Sequence, residues 1–269
     1  MKPDLFRFIF KSFILIIVLL TIHQNILHAQ ELTPQEKSIK LIADGDEFAE
    51  IKFENQNALD KYLESLVINP KDYEAYWRIS RAYVDIGEHM PNKTDEEKSK
   101  QELVYKKAYG YADSAVKVNP SGSMGYTRRA IANGRIALFK GIWDNIGLVK
   151  QTKADLEKAI ELDPNNATAF YVLGRTHAKV SEKSKIIRWP LGLSWANLDD
   201  AAKNYEKSIS LRSDFIMYRL DAARAYVELE DYSKAKEHLK EIETLPTKDE
   251  DDGRFRKEAN DLFEEIKNK

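Results

Sequence analysis

The sequence predicts an all-α protein, a right-handed solenoid of about five helix pairs closed by a C-terminal capping helix. Three observations predict it. Gly (11) and Pro (8) are sparse in 269 residues, while Ala, Leu, Glu and Lys, the strong helix formers, abound. The stretch from Asp155 to Gly174, DLEKAIELDPNNATAFYVLG, reads as the end of one helix, a Pro-marked turn and the start of the next. The same pattern of small, aromatic and turn residues returns along the chain, the signature of stacked helix pairs.

The N-terminus stands apart from this pattern. Lys2, Arg7 and Lys11 precede the apolar run Phe13 to Ile22, FILIIVLLTI, and a polar stretch leads to Ala29. This order is that of a secretory signal, expected at residues 1–29 with cleavage after Ala29. The run is shorter than the roughly 18 apolar residues that span a bilayer, so the mature chain is expected to have no transmembrane span. An uncleaved leader acting as an anchor is the alternative. Without its leader the chain keeps 39 basic against 43 acidic residues, a net charge of −4. The expectation is an exported, periplasmic protein.

From residue 30 to 247 the repeats follow one another. NQNALDKYLESLVINP places Ala58, Tyr62, Ser65 and Pro70 as the second helix of the first pair, whose own first helix is weakly marked. YEAYWRISRAYVDIG opens the second pair, which KAYGYADSAVKVNP completes with Ala108, Ala112, Ala115 and Pro120. The stretch at 155–174 joins the third pair to the fourth. DDAAKNYEKSISLRS, with Ser213 in the proline position, ends the fourth, and DAARAYVELEDYSKAKEHL forms most of the fifth.

Small residues where helices cross, aromatics in the gaps and a terminal Pro resemble the tetratricopeptide repeat (TPR), a unit of about 34 residues with helices A and B. The intervals Pro70–Pro120, Pro120–Pro164 and Pro164–Ser213 are 50, 44 and 49 residues, and Ser213–Thr247 is 34. Insertions of 16, 10 and 15 residues therefore fall between helices A and B of repeats two, three and four. They share one point of the unit, so they crowd one edge of the solenoid. RIALFKGIWDNIGLV reads as helix extension, whereas KSKIIRWPLGLSWANL, with Trp-Pro and Gly, contains a loop. Residues 248–269 supply the capping helix, with Phe255, Ala259, Leu262, Phe263 and Ile266 on one face.

A narrower likeness lies in the order of features. YWRISRAYVDIGE, a Lys/Glu-rich insertion, GRIALFKG, DLEKAIELDPNNATAFYVLGR and a Trp-bearing insertion resemble the regulator of microtubule dynamics protein family, from about Tyr73 to Ile266. The likeness implies a helical-repeat adaptor, with microtubule, lipid or contact-site roles in eukaryotic members. What it carries to an exported chain is the fold and the role of a binding module.

No catalytic constellation accompanies the repeats. Cysteine is absent, which excludes disulfides, thiolate chemistry and cysteine metal sites. No phosphate-binding glycine loop or G-x-S-x-G elbow occurs. His177 falls at an aromatic packing position, and KDEDDGRFRKEA has Lys248 and Ala259 where a calcium loop needs carboxylates. Neither a cofactor, a metal nor, at a net charge of −2, a nucleic acid is expected.

Two surfaces are candidates for binding. Arg81, Arg175 and Arg224 recur at one helix-A position that faces the groove in this repeat family. Arg135 stands nearby, and Trp77 and Tyr171 precede two of them by four residues. Such a stripe suits carboxylates or phosphates on an extended or acidic protein segment. The competing account is that Asp85, Asp221 and Glu228 neutralise these arginines. Trp143, Trp189 and Trp195 lie in or beside the insertions. They form either an exposed partner surface or the packing of the insertions onto the solenoid. The expected function is a non-catalytic protein- or peptide-binding scaffold. The second candidate is a lipid-binding or envelope-organising module, using an apolar cavity or the Trp-bearing insertions.

Overall fold

The computed structural model describes residues 32–269; the leader predicted at 1–29 lies outside them. The chain forms α1 (Pro34–Glu47), a π-helical turn (Phe48–Lys52), α2 (Asn55–Ile68), α3 (Tyr73–Glu88) and α4 (Asp95–Val118). There follow α5 (Ser123–Lys140), α6 (Ile146–Leu162), α7 (Ala167–Ser181), the short α8 (Lys185–Arg188) and a 3-10 turn (Trp189–Leu191). The last helices are α9 (Leu198–Leu211), α10 (Ile216–Glu228), α11 (Tyr232–Ile242) and α12 (Asp252–Ile266). The pairs are α1/α2, α3/α4, α5/α6, α7/α9 and α10/α11, and α12 packs on the last two helices. This is the five-pair TPR solenoid that the sequence predicts.

Each turn between pairs repeats one geometry, because a residue before proline is driven out of the helical region. Asn69, Asn119 and Asp163 all take extended angles near φ −125 to −141°. Their carbonyls accept from Asp72 N, Gly122 N and Asn166 N. Arg212, before Ser213, adopts the same shape (φ −147°, ψ 90°) without a proline. Helix starts are fixed by side chains that satisfy free amides. Thr33 and Thr94 form reciprocal capping boxes with Glu36 and Glu97, and Asp72, Asn166, Asn197 and Asp231 cap four more helices.

The core is the small-against-aromatic packing of the repeat. A Cβ on Gly174 would lie 2.8 Å from the Tyr205 ring, and one on Gly45 2.4 Å from the Tyr62 ring. Gly45 is thus the close-approach residue of the weakly marked first helix. The weak marking has a structural cause, because this helix does not finish as an α-helix. It widens into the π-helical turn and ends at Phe53 in the left-handed region (φ 56°).

The insertions do share one edge. Ala137, Ile142 and Val149 from the third repeat form a small core with Val180, Leu193 and Ala196 from the fourth. Lys140 joins Glu102 of the second repeat at 3.1 Å. The expected helix extension in repeat three is interrupted: α5 stops at Gly141 (φ 87°), and Asn145 Nδ2 donates to the carbonyls of Lys140 and Gly141. In repeat four the loop is built around Arg188. Its buried guanidinium donates to the carbonyls of Lys183 (2.7 Å), Leu193 (3.0 Å) and Ala196 (2.5 Å). The α12 face carries Phe255, Ala259 and Ile266 into the last core cluster, flanked by Leu262 and Phe263.

Candidate functional site

Helix A of each repeat lines the concave side, but that side is a bowl rather than an open trough. The π-helical turn rises at one rim and the 248–251 segment at the other. Asn55 Nδ2 donates to Glu250 Oε1 across the gap at 2.8 Å. His89 stands 3.2 Å from Glu250 and 3.8 Å from Asp251. Between these rims lies a cavity of about 470 Å³.

Arg81, Arg135 and Arg175 line this cavity, and the buried Tyr171 lies in its wall. Arg81 Nη1 is 2.7 Å from Glu50 and its Nε is 3.7 Å from Asp85. Arg135 pairs with Glu88, and Arg175 is 3.5 Å from Asp221. Arg224 is not a cavity residue. It holds Asp221 at 2.7 Å and Glu258 of α12, tying the capping helix to the fifth repeat. The predicted neutralisers Asp85 and Asp221 are therefore engaged. Glu228 makes no ion pair among the described residues; Glu50, Glu88 and Glu258, from other elements, act instead.

Trp77 and Tyr171 are buried rather than displayed. Trp77 donates from Nε1 to Glu74 (2.9 Å) beneath the Arg78 guanidinium, 4.0 Å from its ring centre. Tyr171 stacks on Tyr218 at 4.4 Å and donates to Asp221 at 2.7 Å. The same repeat position holds Thr127 and Leu220, both fully buried. It is a packing position between repeats in this chain.

The residue missing from the sequence reading is Arg128. It lines the cavity, its Nε has no hydrogen-bond partner, and no ion pair reaches its guanidinium among the described residues. Its guanidinium lies 5.8 Å from the Trp77 ring centre. Burial, and after it the charge of Arg81, push Arg128 down to about 10. Burial likewise pushes the Asp85 carboxyl up to about 6, against the pull of Arg81 and Arg128. Local sequence does not single out Arg128: like Arg135, Arg175 and also Arg129, it has no acidic residue three or four positions away, whereas Arg81 has Asp85 and Arg224 has Asp221 and Glu228. Its neighbour Arg129 shows the contrast, held bidentately by Asp155 (2.8 and 2.9 Å) and by Asp113 (2.8 Å).

The tryptophans divide. Trp143 and Trp195 are partly buried against the core shared by the insertions. Trp195 meets buried His177 edge-on at 5.0 Å, so His177 packs the fourth insertion in place. Trp189 points outward, 74% exposed. Among the described residues no group of His, Asp and Glu is arranged to hold a metal ion, and no helix is long and apolar enough to cross a membrane.

The fold defines the class: a tetratricopeptide-repeat protein whose concave face is an arginine-lined bowl. The chain belongs to the family described as regulator of microtubule dynamics protein 1-3, which matches residues 41–267. Regulator of microtubule dynamics protein 3 of Mus musculus is 28% identical over 193 residues, covering 69% of this chain and 40% of the mouse protein. Protein 1 of Mus musculus is 28% identical over 199 residues, 72% of this chain and 64% of that one. The chain thus spans about two fifths of the length of the protein 3 relatives it matches. Among solved structures, a thermophilic TPR protein of Thermus thermophilus has a TM-score of 0.62 at 18% identity, covering 83% of this chain and 98% of that one. PilF of Pseudomonas aeruginosa has a TM-score of 0.52 at 13% identity, covering 87% of each chain. These two likenesses are of fold.

Proposed function

We propose that the protein is a non-catalytic interaction module that holds an acidic end or loop tip of a partner protein in the bowl. Arg128 carries the reading. A guanidinium that makes no ion pair in a partly desolvated cavity, with Asp85 acting on it only from a distance, is costly, and an incoming carboxylate or phosphate relieves that cost. Arg175 and Arg135, each with one acidic partner, flank it as further donors. The two rims narrow the entrance, which favours a chain end over a long segment passing through. Peptide pools of acidic, neutral and basic composition, titrated by fluorescence polarisation, test this. The acidic pool binds wild type and is lost with Arg128→Gln; equal binding of all pools, or of none, overturns it.

One observation favours a second reading, in which the occupant is a lipid. Ile131, Val172, Phe215 and Met217 give the same cavity apolar walls. Solvent extraction of the purified protein followed by mass spectrometry separates the two readings. We further propose, from the leader sequence, that the module is exported. A mature mass beginning at Gln30 supports this, and an intact N-terminus in the cytoplasmic fraction refutes it.

A further inference from the structure

The fourth-repeat insertion ends in a tip that buries its one arginine and exposes its largest apolar groups. Ile186 is 86% exposed, Ile187 53% and Trp189 74%, on one short helical stretch. Ile186 and Trp189, three residues apart, share a face. The exposure is not a matter of looseness. Arg188 is 6% exposed and clamps the carbonyls on both sides of the tip, so the chain holds these side chains outward at some conformational cost. Water is a poor partner for such a cluster, and an apolar tip of this kind marks a surface that something covers.

The surrounding charge says what covers it. Lys183 and Lys185 flank the tip, and Lys150 lies over Gly192 immediately behind it. None of the three makes an ion pair among the described residues, although the chain as a whole is acidic. Glu182, the carboxylate next to the tip, is taken by Lys179 at 2.8 Å. Aliphatic side chains and a tryptophan at the apex, with free lysines at the base, match the layering of a bilayer surface. The apolar groups enter the acyl boundary while the ammonium groups stay with anionic headgroups.

We propose that the Lys183–Pro190 tip is a membrane-docking element that inserts Ile186, Ile187 and Trp189 into the interface of an anionic bilayer. It holds the solenoid by its insertion edge and leaves the bowl free.

The chain has no cysteine, so the full-length protein accepts a single environment-sensitive fluorophore at Ile187→Cys, with Lys257→Cys on α12 as a remote control. On vesicles containing phosphatidylglycerol, the probe at 187 shifts to an apolar emission and the probe at 257 does not. Reversing Lys183→Glu and Lys185→Glu weakens that insertion by about tenfold or more, since each juxtamembrane lysine contributes on its own. High salt weakens it in the same direction. Two results overturn the proposal: a probe at 187 that keeps its aqueous emission on anionic vesicles, or an unchanged shift after lysine reversal. Because the readout is local to the tip, binding of vesicles through the apolar N-terminal run does not imitate it.

Discussion

Asn55 and Glu250 are 195 positions apart in sequence and share a 2.8 Å hydrogen bond across the mouth of the bowl. With His89 beside the same carboxylate, the bond makes the first, second and last parts of the solenoid meet. A stack in which each repeat otherwise touches its neighbours gains a long-range closure. That closure titrates. Burial opposes the His89 charge, but the Asp85 carbonyl and the Glu250 and Asp251 carboxylates outweigh it and raise its pKa above 6.5. Burial raises Glu250 above its usual 4.5. Facing groups on the packed elements are Asp85, Glu88, Asp249 and Arg254. Both shifts have one sign: the folded group holds its proton more tightly, so the stabilisation is complete below the unfolded pKa and fades as pH rises through the folded one. His89 carries the change across neutrality, so the closure is tighter at about pH 6 than at about pH 8, by under about 1 kcal/mol because the group is partly exposed. Amide hydrogen exchange at 246–251 measures it. After correction for intrinsic exchange, protection at the lower pH exceeds that at the higher in wild type, and the difference shrinks in His89→Gln.

Arg128 gives a prediction in which stability and binding move in opposite directions. Arg128→Met keeps the aliphatic stem near Trp77 and removes from the cavity a charge that makes no ion pair. Thermal or urea unfolding of the unliganded protein then shows a gain of about 1–2 kcal/mol, as when a buried unpaired ion is replaced by an apolar side chain. Acidic-peptide binding is lost in the same variant, the trade expected where a site holds strain for a ligand. A loss of stability in Arg128→Met would mean that the longer-range attraction of Asp85 outweighs the cost of holding the charge in the cavity.

How much of this is legible follows from which interactions are local. The frame of Tyr62, Ser65, Gly174, Tyr205 and Ser208 can be read because each packs against a partner at a fixed repeat offset. The shared edge can be read from spacing alone. The bowl cannot, since it depends on a π-helical turn at Phe48–Lys52 and on a contact spanning 195 positions. Arg128 escapes a search for the groove at fixed repeat positions. An arginine is freed by the absence of carboxylates around it, and several of those that neutralise its neighbours, such as Glu50, Glu88 and Asp155, come from other helices. Trp77 is misplaced by the sequence, and Tyr171 reaches the cavity only as part of its buried wall, for a related reason: aromatic rings at a repeated position pack against the next helix more readily than they face solvent.

The Arg129–Asp155 pair bears the opposite prediction to Arg128. Asp155 is 3% exposed and accepts two bonds from Arg129, with Gln151 as a third partner at 2.9 Å. Asp155→Ala strands a guanidinium that Asp113 alone satisfies, and costs about 3 kcal/mol in urea unfolding. The double variant Asp155→Leu with Arg129→Met recovers most of that loss, because it removes both charges together. If the double variant is as unstable as the single one, the loss comes from packing and not from the stranded charge.

Two glycines separate packing from propensity by the sign of one substitution. Gly174 sits against the Tyr205 ring and the Ala201 carbonyl, which a Cβ would approach to 2.8 and 3.1 Å. Gly110 is exposed in the middle of α4, and a Cβ there meets nothing within 4 Å. Gly174→Ala forces α7 and α9 apart where they cross and destabilises the protein by about 1–3 kcal/mol. Gly110→Ala removes backbone freedom from the unfolded chain and adds stability of about 0.5–1 kcal/mol. Melting temperatures of the two variants should fall on opposite sides of wild type. Two shifts of the same sign would mean that α7 and α9 cross with more room than the Gly174–Tyr205 contact allows.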